Sequence, residues 1–227
     1  MEYINKILQG DCLEVMKGIP DNSIDLIITD PPYGINYQSN MRVISKKFDI
    51  LENDNNDFRY MIYNKINRIL KDNCVTLIFC SYKNYANDYQ ELKKYFDIKN
   101  VIIWDKGGGG IGDLQHSLST DYEMIIVCHK GARKINGKRI GSVWHVNKVD
   151  PIKMQHPTQK PVGIFRMLIR IYSNKNDIVL DPFIGSGTTA VACKELGRKY
   201  IGIEISEEYC EVARKRINAI PETLFDI

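Results

Sequence analysis

An early apolar run is followed directly by a tetrapeptide whose side chains and backbone could hold an amino group. Its residues are Asp30, Pro31, Pro32 and Tyr33. Two adjacent prolines commonly end a strand, so the plain interpretation is a turn. The Asp30 carboxylate and the Pro31 carbonyl are, however, two acceptors held stiffly by the proline rings, which suits a nitrogen with two N–H donors. Such hydrogen bonds would favour a tetrahedral, nucleophilic nitrogen, and Tyr33 offers a face on which a base can stack. A base in a duplex would have to be flipped out to reach this site.

A second candidate site lies in residues 178–193, IVLDPFIGSGTTAVAC. An apolar strand is predicted to end at Asp181, a glycine-containing turn follows, and a helix begins near Thr188; such a turn lets the backbone approach a nucleotide closely. The next predicted strand ends in Glu204, 17 residues after Gly187, where an acid can bind both hydroxyls of a ribose. The candidate cofactor-binding residues of this turn are Asp181, Pro182, Phe183, Gly185, Ser186, Gly187 and Thr188.

Two better-known nucleotide motifs fit this segment less well. A Walker phosphate loop requires a Gly-Lys-Ser/Thr ending, and a dinucleotide fingerprint requires a third glycine; neither is present. An acid just before the turn also suits a ligand with an amino group better than a pyrophosphate. The segment therefore predicts a nucleoside cofactor rather than a dinucleotide.

Three further stretches are ambiguous by themselves. HPTQKP, residues 156–161, has the pattern of a proline-bounded turn before a helix, and Asp11 after the first strand is more often a helix cap than a ligand. The basic stretch 130–153 is interrupted by glycines and by Trp144, which is typical of a loop that touches phosphates and bases. A basic run is nevertheless more often a solvated face.

The elements that must position these residues follow from the alternation of apolar runs and amphipathic stretches. The pattern predicts a mostly parallel sheet covered by helices on both faces. Three long polar stretches, 34–57, 107–121 and 131–157, are predicted loops of the length that tends to be functional. The predicted strands are 4–9, 24–29, 74–80, 98–104, 122–128, 178–180 and 200–204, and the predicted helices are 58–70, 85–95, 162–172, 188–196 and 207–217.

Composition limits the class of protein. The chain has 227 residues, 44% hydrophobic and 26% charged, which fits one compact domain. It has no run of 18 apolar residues, so we expect no membrane span, and its start does not have the features of a signal peptide. The six cysteines are scattered without a CxxC pair, and the four that lie in apolar stretches are predicted to be reduced, buried thiols. This usage predicts a cytoplasmic protein and no metal site.

Together, these motifs resemble those of the amino-group-specific DNA methyltransferases, in the permuted order called the beta group. The matching pieces span nearly the whole chain, with the catalytic half before the cofactor half. The resemblance implies one circularly permuted, Rossmann-like domain, residues 1–227, with a seven-stranded sheet in which Asp30 and Asp181 end neighbouring strands. In chain order the pieces are DPPY at 30–33, W-x-K at 104–106, DYEMIIVCHKG at 121–131, HPTQKP at 156–161, DPFIGSGTT at 181–189 and IGIE at 201–204.

The resemblance also implies a role for each matching residue. Asp30 and Pro31 would accept hydrogen bonds from the target amino group, and Tyr33 would stack on the flipped base. S-adenosylmethionine would be the cofactor, with Glu204 at the ribose and the 181–188 turn around the methionine part. The methyl group would then pass directly to the amine. The adenine of the cofactor would meet Asp11 and Cys12, and its methionine carboxylate would lie near Thr158, Gln159 and Lys160.

The sequence favours N6 of adenine as the methylated atom and leaves N4 of cytosine open. In the family, an aspartate at the first position of the tetrapeptide leans toward adenine and a serine toward cytosine. C5 of cytosine is set aside because attack from that ring carbon needs a cysteine nucleophile, and no Pro-Cys dipeptide occurs. An RNA or protein amino-group methyltransferase, a nicotinamide-dependent oxidoreductase and a non-catalytic DNA-binding module are the competing classes.

Recognition of double-stranded DNA is assigned to two basic stretches. We expect residues 131–155 to form a small target-recognition segment and residues 34–57 a mobile, DNA-facing loop, with no membrane partner. Recognition would be short, relaxed or completed by a homodimer or a partner, and a cognate restriction endonuclease stays an open possibility. The predicted DNA-contacting residues are Arg42, Lys46, Lys47, Arg133, Lys134, Lys138, Arg139 and Lys148.

Overall fold

A computed structural model describes residues 1–31, 55–108, 115–150, 152, 154 and 159–221. The strands are β1 (Lys6–Gln9), β2 (Ile24–Thr29), β3 (Leu70–Cys80), β4 (Asp97–Asp105), β5 (Tyr122–Lys130), β6 (Val143–His145), β7 (Ile178–Asp181) and β8 (Lys199–Glu204). The helices are α1 (Cys12–Val15), α2 (Asn55–Ile69), α3 (Tyr85–Leu92), α4 (Val162–Tyr172), α5 (Thr188–Glu195) and α6 (Glu207–Asn218), and a 3-10 turn at Met16–Gly18 follows α1.

The described strands form a single sheet in the order β1-β8-β7-β2-β3-β5-β4-β6. Strand β5 runs antiparallel to both neighbours, and the other pairings are parallel. Alternate residues of β3 enter different cores: Leu77 and Phe79 pack with α4, α5 and α6, while Ile78 packs with α1, α2 and α3. The predicted mostly parallel sheet with helices on both faces is therefore confirmed.

Strand pairing supports the predicted permutation. Strand β7 pairs in parallel with β2, so Asp181 and Asp30 leave the sheet at the same edge. The last helix returns to the first strand, where the Arg214 guanidinium donates to the Ile7 carbonyl at 3.0 Å. We call the edge at which the parallel strands end the carboxyl edge, and the opposite one the amino edge.

The structure adds one strand that the sequence pattern did not predict. Strand β6 lies within the segment expected to be a loop, and it pairs with β4 at the end of the sheet. Its Trp144 is only 6% exposed and its indole N–H donates to the Gly141 carbonyl at 2.7 Å. The interpretation of Trp144 as part of a base-touching loop is therefore wrong, because its ring belongs to the core.

The predicted loop 34–57 lies outside the described residues up to residue 54, and residues 55–57 belong to α2. All six cysteines are buried and free of disulfide bonds, which confirms the expectation for the four in apolar stretches and extends it to the other two. Within the described ranges, no group of three or more His, Cys, Asp or Glu side chains is arranged to hold a metal ion. In the same ranges, no helix combines the length and the apolar character needed to span a membrane.

Candidate active site

The turn between β7 and α5 is shaped by two glycines. Gly185 and Gly187 have φ values of +50° and +85°, in the left-handed region that favours glycine. A Cβ atom on Gly187 would lie 2.8 Å from the Cβ of Ala213 on α6, so the turn also depends on close packing. The turn therefore presents bare backbone at the carboxyl edge, as a nucleoside-binding turn requires.

Asp181 is buried where β7 enters this turn. Its carboxylate accepts hydrogen bonds from the Thr189 hydroxyl and, at 3.0 Å, from the Phe183 amide. Burial raises the pKa of Asp181 from 3.8 to about 7, and the nearby carboxylates of Asp30 and Glu204 add to the increase. Three acids thus converge at this edge, an arrangement that favours a positively charged ligand.

Glu204 connects the end of β8 to the same turn. Its carboxylate accepts hydrogen bonds from the amides of Gly185 and Ser206, both at 3.0 Å. Burial also raises the pKa of Glu204. Because each carboxylate oxygen can accept more than one hydrogen bond, Glu204 retains capacity for ligand hydroxyls.

The other cofactor candidates have identifiable packing roles. Asp11 caps α1 by accepting from the Leu13 amide at 2.7 Å, beside the end of β8. Burial raises the pKa of the neighbouring Cys12 thiol to about 12.

Ser186 accepts two hydrogen bonds from Arg216 of α6, through its carbonyl and its hydroxyl. Pro182 and Thr188 are buried, whereas Phe183 and Gln159 are half-buried.

Lys160 joins the two halves of the site. Its carbonyl accepts from the Thr188 hydroxyl at 3.4 Å, on the cofactor side. Its ammonium lies 2.8 Å from Asp30 Oδ2 and 2.8 Å from Glu123 Oε2, on the catalytic side. Burial disfavours the charged ammonium, but the two carboxylates outweigh this effect and raise the pKa of Lys160. A role for Lys160 near the methionine carboxylate stays a prediction.

Two charged residues that were not predicted as site residues complete this arrangement. Glu123, on β5, binds Lys160, and the Lys106 ammonium lies 3.7 Å from the other oxygen of Glu123. We call Lys106, Glu123, Lys160 and Asp30 the charged cluster. Both new members lie in matched stretches of sequence, W-x-K and DYEMIIVCHKG, but their pairing depends on contacts between distant segments.

A cavity of about 250 Å³ adjoins the charged cluster. The Ser81 hydroxyl oxygen is buried here and has no hydrogen-bond partner among the described residues. A buried hydroxyl at the wall of a cavity is expected to bond to water or to a ligand. The cavity is lined by Ser81, Tyr82, Lys83, Lys106, Thr120, Tyr122 and Glu123.

The predicted DNA contacts do not all lie at this edge. Because β5 is antiparallel, its last residue pairs with Cys74 at the start of β3, and the chain leaves β5 at the amino edge. The Ala132 amide binds the Asn73 side chain at 2.9 Å, and the Asn136 amide binds the Ile171 carbonyl at 2.8 Å. Residues 132–136 are therefore separated from Asp30 by roughly 20 Å, the length of the strand between them.

This position bears on two of the predicted contacts. Arg133 and Lys134 lie at the amino edge, away from Asp30, and Arg133 is half-buried; contact of these two residues with DNA stays a prediction. Lys138 and Arg139 are exposed on the path back toward β6. Lys148 is exposed and follows β6, whose last residue pairs with Asp105 at the carboxyl edge. Pro32, Tyr33, Arg42, Lys46, Lys47 and Thr158 lie outside the described residues.

Comparison with known families supports the interpretation of this geometry. A family model described as DNA methylase, covering N6 and N4 methyltransferases, matches residues 24–215. This chain belongs to the DNA methylase family. The expectation of an amino-group DNA methyltransferase is therefore confirmed, and the S-adenosylmethionine cofactor is confirmed at the level of the family.

Individual members of the family align with almost the whole chain. The type II methyltransferase M2.MboI of Moraxella bovis is 33% identical over 96% of this chain and 89% of its own length. The type II methyltransferase M.HinfI of Haemophilus influenzae is 32% identical over 100% and 72%. The DNA adenine methyltransferase YhdJ of Escherichia coli strain K12 is 31% identical over 93% and 82%.

Solved structures agree with the fold. The crystal structure of the M1.HpyAVI–SAM complex superimposes with a TM-score of 0.75 at 30% identity, covering 94% of this chain and 98% of that one. The cytosine-N4-specific PvuII DNA methyltransferase has a TM-score of 0.76 at 18% identity, covering 95% and 88%. The second similarity concerns the fold alone, and the fold does not distinguish adenine from cytosine.

Proposed function

We propose that this DNA methylase transfers a methyl group from S-adenosylmethionine to N6 of adenine in double-stranded DNA, after the base has been flipped out of the helix. The observation that carries the proposal is the parallel pairing of β2 with β7, which brings Asp30 and the Gly185–Gly187 turn to one edge. A substrate amine and a methyl donor held at these two strand ends are neighbours, and proximity supplies much of the rate.

The cofactor side of the site fits S-adenosylmethionine. Asp181 and Glu204 are acceptors for a ligand ammonium and for ribose hydroxyls, and the glycine turn lets the backbone approach the ligand. The converging acids also suit a ligand that carries two positive charges. When bound, S-adenosylmethionine supplies a methyl group that its sulfonium already activates.

On the substrate side, Asp30 and Pro31 are the proposed acceptors for the two N–H groups of adenine N6. The Asp30 carboxylate is partly exposed at the end of β2, and Pro31 is buried beside it. The cavity lined by Ser81 and Tyr122 lies on this side and adds polar groups around the base. The roles of Pro32 and Tyr33 follow from the tetrapeptide pattern alone.

The choice of adenine over cytosine is supported by the aspartate at the first position of the tetrapeptide. It is also supported by the name of a relative, since YhdJ is a DNA adenine methyltransferase. N4 of cytosine is the alternative, because the PvuII enzyme has the same fold. The type II relatives are consistent with a place beside a cognate restriction endonuclease, and a homodimer would complete recognition by a small target-recognition segment.

A labelling experiment tests the proposal. The protein is incubated with tritiated S-adenosylmethionine and unmethylated genomic DNA, and the digested nucleosides are separated. We expect label in N6-methyladenine, at a short sequence that can be mapped on the same DNA. Label in N4-methylcytosine would overturn the choice of base, and label confined to RNA or protein in parallel reactions would overturn the proposed substrate.

A further inference from the structure

The ammonium of Lys160 lies between two carboxylates that come from different parts of the fold. Asp30 follows β2, Glu123 is on β5, and Lys160 precedes α4; both Lys–carboxylate distances are 2.8 Å. The Lys160 side chain is only 11% exposed, so water screens these charges weakly. The four members of the charged cluster alternate in sign, from Lys106 through Glu123 and Lys160 to Asp30.

Glu123 is the member of the cluster that the fold holds most firmly. It pairs with Trp104 in the ladder between β4 and β5, and β5 is also paired with β3. We call Asp30, Lys160 and Glu123 the triplet. Its other two members are outside regular elements: Asp30 is the first residue after β2, and Lys160 stands two residues before α4. Glu123 can therefore serve as the fixed point from which Lys160, and through it Asp30, is positioned.

Because the Lys160 ammonium is shared between Asp30 and Glu123, Asp30 stays able to accept hydrogen bonds from another donor. A buried lysine with one carboxylate partner would direct its whole charge to that partner and compete with other donors. With Glu123 present, the triplet has a net charge of −1, and the three ammonium donors are divided between two acceptors. The Lys160 ammonium also lies 4.8 Å from the centre of the Phe79 ring, which limits its movement on another side.

We propose that Glu123 is a positioning residue for methyl transfer, which acts through Lys160 to hold the Asp30 carboxylate in the geometry that receives the substrate amine. The proposal rests on the proposed function, in which Asp30 accepts from that amine. Glu123 itself contacts neither the methyl donor nor the reacting nitrogen in this scheme. Its removal should therefore change the rate of the chemical step more than the binding of either substrate.

The first test replaces Glu123 by glutamine, which keeps the shape and removes the charge. We expect kcat for methyl transfer to DNA to fall roughly 10- to 100-fold, the scale of a catalytic group displaced by about 1 Å. The KM values for S-adenosylmethionine and for DNA should stay within about threefold of the wild type. Glu123→Asp, which keeps the charge, should recover part of the lost kcat.

Glu195→Gln is the matched control. Glu195 forms an ion pair with Arg166 of α4 at 2.5 Å, so the same chemical change is made in a pair that does not include Asp30. Its kcat should equal that of the wild type. A Glu123→Gln enzyme with wild-type kcat, or one whose KM for S-adenosylmethionine rises as much as its kcat falls, would overturn the proposal.

A double-mutant cycle tests whether Glu123 acts through Lys160. If it does, the double variant Glu123→Gln/Lys160→Met should be no slower than Lys160→Met alone. Multiplicative losses would overturn this route, and the cycle with Glu123→Asp serves if the glutamine variant does not unfold cooperatively. All rates are scored as total methyl transfer to DNA, so a wrong choice between adenine and cytosine does not affect the outcome.

Discussion

At the scale of single residues, the site is governed by carboxylates placed in unequal surroundings. Asp30 is partly exposed and paired with a lysine, whereas Asp181 is buried and bonded to neutral donors. The difference follows from position: Asp181 ends a central strand and is covered by α5, while Asp30 begins the segment after β2. The Asp30 carboxylate thereby stays accessible to a substrate amine, whereas the pKa of Asp181 is raised to about 7.

Asp30→Ala removes the proposed acceptor of the amine. We expect methyl transfer to fall on the order of 100-fold or more, as when a preorganised hydrogen-bonding group is removed from a reacting centre. Binding of S-adenosylmethionine, measured by equilibrium dialysis, should change little. Asp21→Ala, which removes an exposed carboxylate paired with Arg68, is the control and should leave the rate unchanged. Full activity of the Asp30→Ala enzyme would contradict the catalytic assignment.

Asp181 should make the stability of the free enzyme depend on pH. Because its folded pKa of about 7 exceeds the ordinary value of 3.8, proton binding stabilises the fold in acid, and this contribution is lost as the pH rises through about 7. Asp181→Asn cannot ionise, so the stability of the variant relative to the wild type should increase by up to roughly 1.4 kcal/mol per pH unit between about pH 4 and 7.

Urea unfolding at about pH 5 and about pH 7.5 measures this difference in the free energy of unfolding. Glu211→Gln, which makes the same exchange of a carboxylate for an amide in an exposed pair with Lys215, is the control, and its free energy of unfolding relative to wild type should be the same at both pH values. A constant difference for Asp181→Asn as well would mean that the burial of Asp181 does not perturb its ionisation.

At the scale of elements, the cofactor turn depends on the packing of α6 against it. Gly187 combines a left-handed backbone with a close approach to Ala213, and Arg216 of the same helix binds Ser186. In the catalytic half, Arg59 and Tyr63 of α2 donate hydrogen bonds to Asp88 of α3 and form a buried cluster. Packing of α6 thus supports the cofactor turn, while the Arg59–Tyr63–Asp88 cluster joins α2 to α3.

Gly187→Ala should destabilise the protein by about 1–3 kcal/mol, because the new methyl group meets Ala213 and the left-handed conformation becomes strained. Urea unfolding measures the loss, and the affinity for S-adenosylmethionine should fall with it. Gly141→Ala is the matched control: a Cβ atom there has no neighbour within 4 Å in the part of the chain that the structure describes, so its effect should stay within about 0.5 kcal/mol. Equal effects of the two substitutions would contradict the packing argument.

At the scale of the whole molecule, the candidate site residues lie at one edge of the sheet, and the basic residues that end and follow β5 lie at the other. The charged cluster, the cofactor turn and the cavity beside Ser81 lie at the carboxyl edge, which is where open α/β sheets bind ligands. Lys130, the last residue of β5, lies at the amino edge, where its ammonium donates to the carbonyls of Asn67 and Leu70, and Arg133 and Lys134 follow it there. In the proposed function, a duplex that delivers a base to Asp30 is therefore expected to approach the carboxyl edge.

Two lysine substitutions test this direction of approach. Lys148→Ala should weaken binding to all DNA sequences and lower the slope of the salt dependence by about one, the effect of one lost phosphate contact. Lys134→Ala removes the same charge from the amino edge and should leave the dissociation constant within about twofold. Binding titrations at several salt concentrations measure both. A larger effect of Lys134→Ala would place the duplex on the other edge.

Local sequence patterns were enough to predict much of this protein. Within the described residues, hydrophobic periodicity predicted seven of the eight strands and five of the six helices. The acid–glycine turn after Leu180 was expected from its Gly-Ser-Gly sequence, and both glycines have positive φ values. The start of β3 was missed because Lys71, Asp72 and Asn73 are polar, although the strand already begins at Leu70. Patterns within one segment report which side of that segment is buried, and this is the information that periodicity carries.

The sequence by itself determined the motifs and the resemblance to the family, and that resemblance implied that Asp30 and Asp181 end neighbouring parallel strands. Only the tertiary structure decided which charges meet there. The pairing of Lys160 with Asp30 and Glu123, the burial of Trp144 and the removal of Arg133 to the amino edge all depend on strand direction and on contacts between distant segments. A buried charge is stabilised by whichever opposite charge the folded chain brings within reach, and no local pattern specifies that partner.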